Sequence, residues 1–181
     1  MLMVLALAAT GTAQDLNGQM LAGGYLGYSF GMGDQFDEYN HPNFKDEINA
    51  GFSLGGQFFY GLAEKLMVGS ELMLQSYSRK IDYEDDADPD FNDSELKFSI
   101  LANALYSLNY TEETALFFIG GIGVYDRNDL GLGFNAGILY RMNIGDNLYV
   151  YGMPRVHFLL ADPGGQMIQI SFGLQYSIGN Y

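Results

Sequence analysis

Large apolar side chains recur at every second position over four long stretches of this chain. From Ile48 one set runs Ile48, Ala50, Phe52, Leu54, Gly56, Phe58, Tyr60, and the set between them runs Asn49, Gly51, Ser53, Gly55, Gln57, Phe59. From Leu96 the sets are Leu96, Phe98, Ile100, Ala102, Ala104, Tyr106, Leu108 and Lys97, Ser99, Leu101, Asn103, Leu105, Ser107, Asn109. Leu132 to Asn143 and Ile168 to Ile178 repeat the pattern. A period of two places each set on its own face of a β-strand. Runs of this length match the roughly 9–11 residues that a tilted strand needs to cross a bilayer.

Eight strands are predicted, at 20–32, 48–60, 66–79, 96–109, 115–125, 131–143, 148–160 and 167–178. The connections at 61–65, 111–114 and 144–147 are short and carry turn residues such as Gly-Asp-Asn. Those at 33–47 and 80–95 are long, polar and acidic, while 126–130 and 161–165 are brief. Tight turns alternating with longer loops fit an up-and-down barrel with turns in the periplasm and loops outside. The fifth strand reads ambiguously, since Leu116-Phe117-Phe118-Ile119 is apolar on both faces. Pro154 in the seventh cannot donate a ladder hydrogen bond, so a bulge or kink is expected at Gly152 to Pro154.

Composition narrows the picture. At 181 residues the chain suits one domain, and its 14 Tyr and 13 Phe suit interfacial aromatic girdles. With no Cys there is neither a disulfide frame nor a thiolate site. A net charge of −14 argues against nucleic acid as a partner. Leu2 to Ala9 is a short apolar core, and Gly11-Thr12-Ala13 before Gln14 reads as a cleavage site. Residues 1–13 are thus expected to be a signal peptide and 14–181 the barrel. The basic region expected upstream is missing, which leaves either a start assigned too late or a truncated gene as the expectation.

The same alternation describes a soluble barrel of the lipocalin or avidin kind if the large residues point inward. The second face decides against that reading. It is mostly Gly, Ser, Asn and Gln rather than Lys and Glu, which suits a crowded, hydrophilic lumen. The expected fold is an all-β, eight-stranded, antiparallel transmembrane barrel with apolar residues facing lipid.

At the C-terminus, Ser171-Phe172-Gly173-Leu174-Gln175-Tyr176-Ser177-Ile178 resembles the β-signal of outer-membrane proteins, carried by Ser171, Gly173, Tyr176 and Ile178. The chain resembles, over about residues 20–181, the small eight-stranded barrels around the outer-membrane protein A transmembrane domain. That resemblance implies a bacterial outer-membrane location, with outer-membrane lipids, lipopolysaccharide and the barrel-assembly machinery as partners. The peptidoglycan-binding domain that some relatives carry is not expected.

Candidate chemistry falls into two groups. Glu71, Arg79, Lys97, Arg141 and Arg155 fall on the inferred lumen side, where Glu71 and Arg155 are placed to pair and Arg141 offers another partner. A structural ion-pair network is expected, because an unpaired charge there would be costly. The segment from Lys80 to Glu95 holds Asp82, Glu84, Asp85, Asp86, Asp88, Asp90 and Asp93. It opens like a calcium loop, but Phe91 replaces the glycine and Lys97 the final Glu, so a solvated acidic loop is expected, with weak calcium binding as the alternative. Lipid A-modifying enzymes on similar barrels use a His and a Ser; His157 has no identifiable Ser partner, since Ser70 and Ser76 lie on another strand's lipid face. The expectation is a protein without enzymatic activity or cofactor, with a structural or surface-interaction role. A narrow channel is the alternative.

Overall fold

The computed structural model describes residues 15–32, 44–83, 91–111, 113–126, 130–160 and 165–178. Eight strands form one closed barrel in chain order: β1 (Met20–Met32), β2 (Phe44–Ala63), β3 (Leu66–Tyr83), β4 (Phe91–Tyr110), β5 (Thr114–Asp126), β6 (Leu130–Gly145), β7 (Leu148–Leu159) and β8 (Gly165–Ile178). Each neighbouring pair is antiparallel. Closure comes from β1 against β8, in an unbroken register from Met20↔Ile178 to Met32↔Gln166. The tight end is built by turn chemistry. Asn147 in the β6–β7 turn takes a φ of 62°, the left-handed conformation that Asn tolerates better than most residues.

The faces fall as the alternation requires. Phe52 is 74 % exposed, Ile122 69 % and Phe172 67 %, whereas Glu71 is 2 % and Arg155 1 % exposed. A barrel folded for water would show the reverse. The ambiguity in β5 resolves the same way, with Phe117 and Ile119 inside and Phe118 outside.

Three expectations are corrected. The segments read as long loops at 33–47 and 80–95 are partly strand, since β2 starts at Phe44, β3 runs to Tyr83 and β4 starts at Phe91. In that register Lys45 stands opposite Asp82 and Glu47 opposite Lys80. Of the bulge or kink expected near Pro154, the bulge is not there, although β6–β7 pairing lapses beside Pro154, between Gly137↔Arg155 and Tyr140↔Gly152. Gly137 pairs with Arg155 and Tyr140 with Gly152, so both strands advance three residues and none is inserted. The register shift in the β6–β7 pair lies between Asn143 and Gly145. Pro154 is exposed on the outer face and keeps its register with Ile170.

The lumen is also less hydrophilic than expected. Towards the turns it is packed with Leu21, Phe59, Met67, Leu105, Phe117, Ile119 and Leu139. The segment before β1 folds beneath this cluster. Leu16 is fully buried, its backbone N–H donates to Glu64 O at 3.1 Å, the Gly18 N–H donates to Gly61 O at 2.9 Å, and the Gly61 N–H donates to Gln19 O at 2.8 Å. A Cβ on Gly61 would meet Leu16 O at 1.7 Å, so only glycine admits the segment at this point. Leu16 acts as an apolar stopper.

Replacing Leu16 with Ala should therefore cost about 2–5 kcal/mol, the usual range for truncating a buried leucine. Equilibrium unfolding in urea with lipid vesicles is the measurement. A variant as stable as the parent would show that the stopper contributes nothing.

Candidate functional site

Glu71 on β3 and Arg155 on β7 both occupy inward positions of their strands, and they meet across the lumen. Arg155 Nη1 donates to Glu71 Oε2 at 2.7 Å and Nη2 to Oε1 at 2.6 Å, a two-pronged pair. Tyr25 on β1 donates its hydroxyl to Oε1, and Asn103 on β4 donates to Oε2 at 2.8 Å. Asn135 on β6 donates to Asn103 Oδ1 at 2.9 Å. On the far side Gln169 on β8 accepts from Arg155 Nη2 at 2.7 Å and donates to Ser53 Oγ on β2 at 2.9 Å.

His157 completes the ring. With Nε2 protonated it donates to Gln169 Oε1 at 3.1 Å, and its Nδ1 accepts the Tyr125 hydroxyl of β5 at 2.9 Å. Every strand thus contributes at least one side chain, and none of these residues is more than 4 % exposed. Glycines make the room. A Cβ on Gly55 would sit 2.2 Å from the Tyr25 ring, and one on Gly137 would sit 2.6 Å from Arg155 Cγ.

Withdrawing two charges from water is costly, and the attraction between them compensates only when the remaining hydrogen-bonding capacity is filled. Here the carboxylate receives four donors. Removing one partner would leave the other charge buried among groups oriented for a pair.

Arg141 does not join this network, contrary to expectation. The Glu71 oxygens are already occupied by Arg155, Tyr25 and Asn103. Arg141 lies closer to the turns, fully buried, with Nη1 3.4 Å from Gln175 Oε1. Three rings surround it, Tyr149 at 4.3 Å from the guanidinium carbon, Tyr110 at 5.0 Å and Phe117 at 5.2 Å. Lys97 is half-buried on β4, outside the pair. Arg79 holds a register position between Ile48 and Asp93. Asp82 on β3 and Asp93 on β4 belong to strands, while Glu84, Asp85, Asp86, Asp88 and Asp90 lie outside the described residues. Among the described residues no acidic cluster is arranged to hold a metal.

The assembly-signal residues divide by face. Ser171 points inward and donates to Met153 O at 3.1 Å. Tyr176 and Ile178 are exposed on the outer wall. Gly173 is a forced glycine, since a Cβ there would lie 2.2 Å from Gly24 O.

No protein-family model matches the chain, and no curated protein does. Solved structures do. The outer-membrane protein OprG from Pseudomonas aeruginosa aligns with 93 % of this chain and 99 % of its own, at 13 % identity and a TM-score of 0.54. The chain has the fold of the small eight-stranded outer-membrane barrels. Ail, the attachment invasion locus protein of Yersinia pestis, solved with the heparin analogue sucrose octasulfate, aligns with 90 % of this chain and 99 % of its own, at 12 % identity and a TM-score of 0.55.

Glu71 and Arg155 should behave as one unit. Glu71→Ala and Arg155→Met are each expected to cost about 3–5 kcal/mol, the range for stranding one member of a buried pair, and the double variant less than their sum. A double-mutant cycle by urea unfolding in vesicles checks this, and strict additivity would dissolve the unit.

Proposed function

We propose that this protein is an outer-membrane barrel that does not conduct and that anchors its acidic loop end at the cell surface, in a structural or surface-interaction role. The observation that carries the reading is the Glu71–Arg155 network, which draws a buried side chain from all eight strands and leaves the side chains of the pair out of contact with solvent. An eight-stranded barrel has an interior filled by side chains, and here the filling is cross-linked. The exposed belt of Leu26, Phe52, Ile100, Leu132 and Phe172 supports a hydrocarbon surrounding. By name, OprG is an outer membrane protein and Ail an attachment invasion locus protein.

The loop end is where an interaction would occur. β2, β3 and β4 are the longest strands, at 20, 18 and 20 residues, against 13 in β1 and 12 in β7. They carry the acidic segments towards that end. A net charge of −14 disfavours a polysulfate such as the one bound to Ail and favours cationic partners or divalent ions that bridge to lipopolysaccharide. Residues 1–13, as a signal peptide, would supply export, and β8 would present the assembly signal to the barrel-assembly machinery.

Reconstituted in planar bilayers, the protein should be electrically silent, and Glu71→Ala should show small conductance steps. Steady ion current through the parent protein would replace this reading with that of a narrow channel. Phe172→Arg, on the lipid face, should cost about 2–4 kcal/mol if it lies near the bilayer midplane and less nearer the interface. Stability measured in vesicles tests this, and no loss at all would count against a lipid-facing wall.

A further inference from the structure

The barrel rim is uneven on one side. Pairing between β4 and β5 starts at Ser99↔Tyr125, whereas β4 itself begins at Phe91, eight residues earlier. β5 and β6 do not accompany it, because Asp126 and Leu130 are already register partners joined through residues 127–129. Three residues reach about 10 Å at full extension, against about 20 Å for the stretch Phe91 to Leu96 of β4. Pairing between β1 and β2 likewise ends at Ser29↔Gly51, although β2 begins at Phe44. Beyond the rim β2, β3 and β4 therefore form a three-stranded flap, with β3 in the middle and one outer edge on each side. Among the described residues no strand covers β4 from Phe91 to Leu96 on its β5 side.

The two edges differ. On β2 the register with β3 jumps from Ile48↔Arg79 to Gly51↔Tyr77, so β2 holds one extra residue. A bulge of this kind twists an edge away from further pairing, and Lys45 adds a charge to it. On β4 the register with β3 is unbroken from Leu66↔Tyr106 to Ile81↔Phe91, and Phe91 to Leu96 contains neither Pro nor Lys. Every second residue of such a regular edge turns its N–H and C=O outward, a template for one more strand. Composition then selects the partner. From Ile81 to Leu96 the sequence holds eight acids and no Lys or Arg, with Asp93 and Glu95 on the edge strand itself. A second copy of this chain would bring the same acids to the junction, and like charges repel. A basic segment would be drawn to it.

We propose that the β4 edge from Phe91 to Leu96 binds an extended, lysine- or arginine-rich segment of another polypeptide, which adds to the flap as a fourth strand. Backbone hydrogen bonds supply the docking, and the acids supply the preference for basic sequences. The inference rests on the surface-interaction reading above and names the partner class for it. Conductance is independent of it, so bilayer recordings judge the silent barrel and peptide binding judges the edge.

The test uses the full chain in lipid nanodiscs and a synthetic peptide of alternating Lys and Thr. Titration calorimetry should show binding, and a peptide of alternating Glu and Thr should give no heat. The Lys–Thr peptide with every backbone nitrogen methylated keeps its charges but cannot donate, and it should bind at least about tenfold more weakly. Hydrogen exchange followed by NMR should show alternate amides between Asn92 and Leu96 slowing in the complex, while those of Ser99 to Ser107 stay as they were. Glu95→Lys should weaken the Lys–Thr peptide severalfold without altering the unfolding midpoint. No binding of the Lys–Thr peptide would overturn the proposal. Equal binding of the methylated peptide would reduce it to charge attraction and overturn it too. Amides of 92–96 already protected in the free protein would mean that the edge is covered by this chain, and protection that grows with protein concentration would assign it to a second copy; either result sinks the proposal.

Discussion

A sheet that meets hydrocarbon must satisfy all its backbone N–H and C=O groups without water, and in this chain that is done by joining the last strand to the first. The thirteen register pairs between β1 and β8 close the ring. Eight strands enclose a lumen only wide enough for side chains, so closure dictates what may stand inside. Gly23, Gly55, Gly137 and Gly173 lie where inward neighbours leave no space for a Cβ. The large residues displaced from the lumen cover the outer wall.

Within that narrow lumen the two buried arginines meet different fates. Arg155 is neutralised by a carboxylate that is itself fixed by Tyr25 and Asn103. Arg141 lies among aromatic rings, with no acid paired to it among the described residues. Towards the turns the polar filling gives way to the apolar cluster that includes Leu16. The interior therefore has a polar crossbar, a second buried arginine packed among aromatic rings, and an apolar floor.

Much of the fold was legible because a strand that separates lipid from lumen must alternate, and alternation survives in one sequence without comparison. Strand positions in the membrane zone agreed to within a few residues, and Glu71 and Arg155 were recognisable as inward charges. The loop-side extensions of β2, β3 and β4 were not, because strands standing in water lose the constraint that makes one face apolar. Lys45 to Glu47 and Lys80 to Asp82 read as loop composition for that reason. The Arg141 environment was missed for another. Position along the strand placed it inward, but its distance from Glu71 depends on how the strands stagger around the ring, which local pattern does not encode. Leu16 precedes the first alternating run, so no periodicity marked it. Asn103, Asn135 and Gln169 each sat on the polar face as unremarkable residues, Tyr25 lay in a strand without so clear an alternation, and only the barrel's curvature brought them together.

Stagger also suggests why a costly ion pair belongs in such a lumen. A register error of one residue would turn every side chain to the wrong face, and the hydrophobic pattern rejects it. An error of two keeps apolar residues outside and restores the backbone hydrogen bonds, so alternation alone cannot detect it. Such a slip shifts one strand by roughly 7 Å along its neighbour. That distance would carry Gln169 away from Arg155, or Tyr25 and Asn103 away from Glu71, and leave a buried charge without its donors. The network takes contacts from β1, β3, β4, β7 and β8 at the pair alone, so one slipped strand breaks it. The pair thus contributes register specificity that the greasy exterior cannot provide, and it does so only when β8 has reached β1.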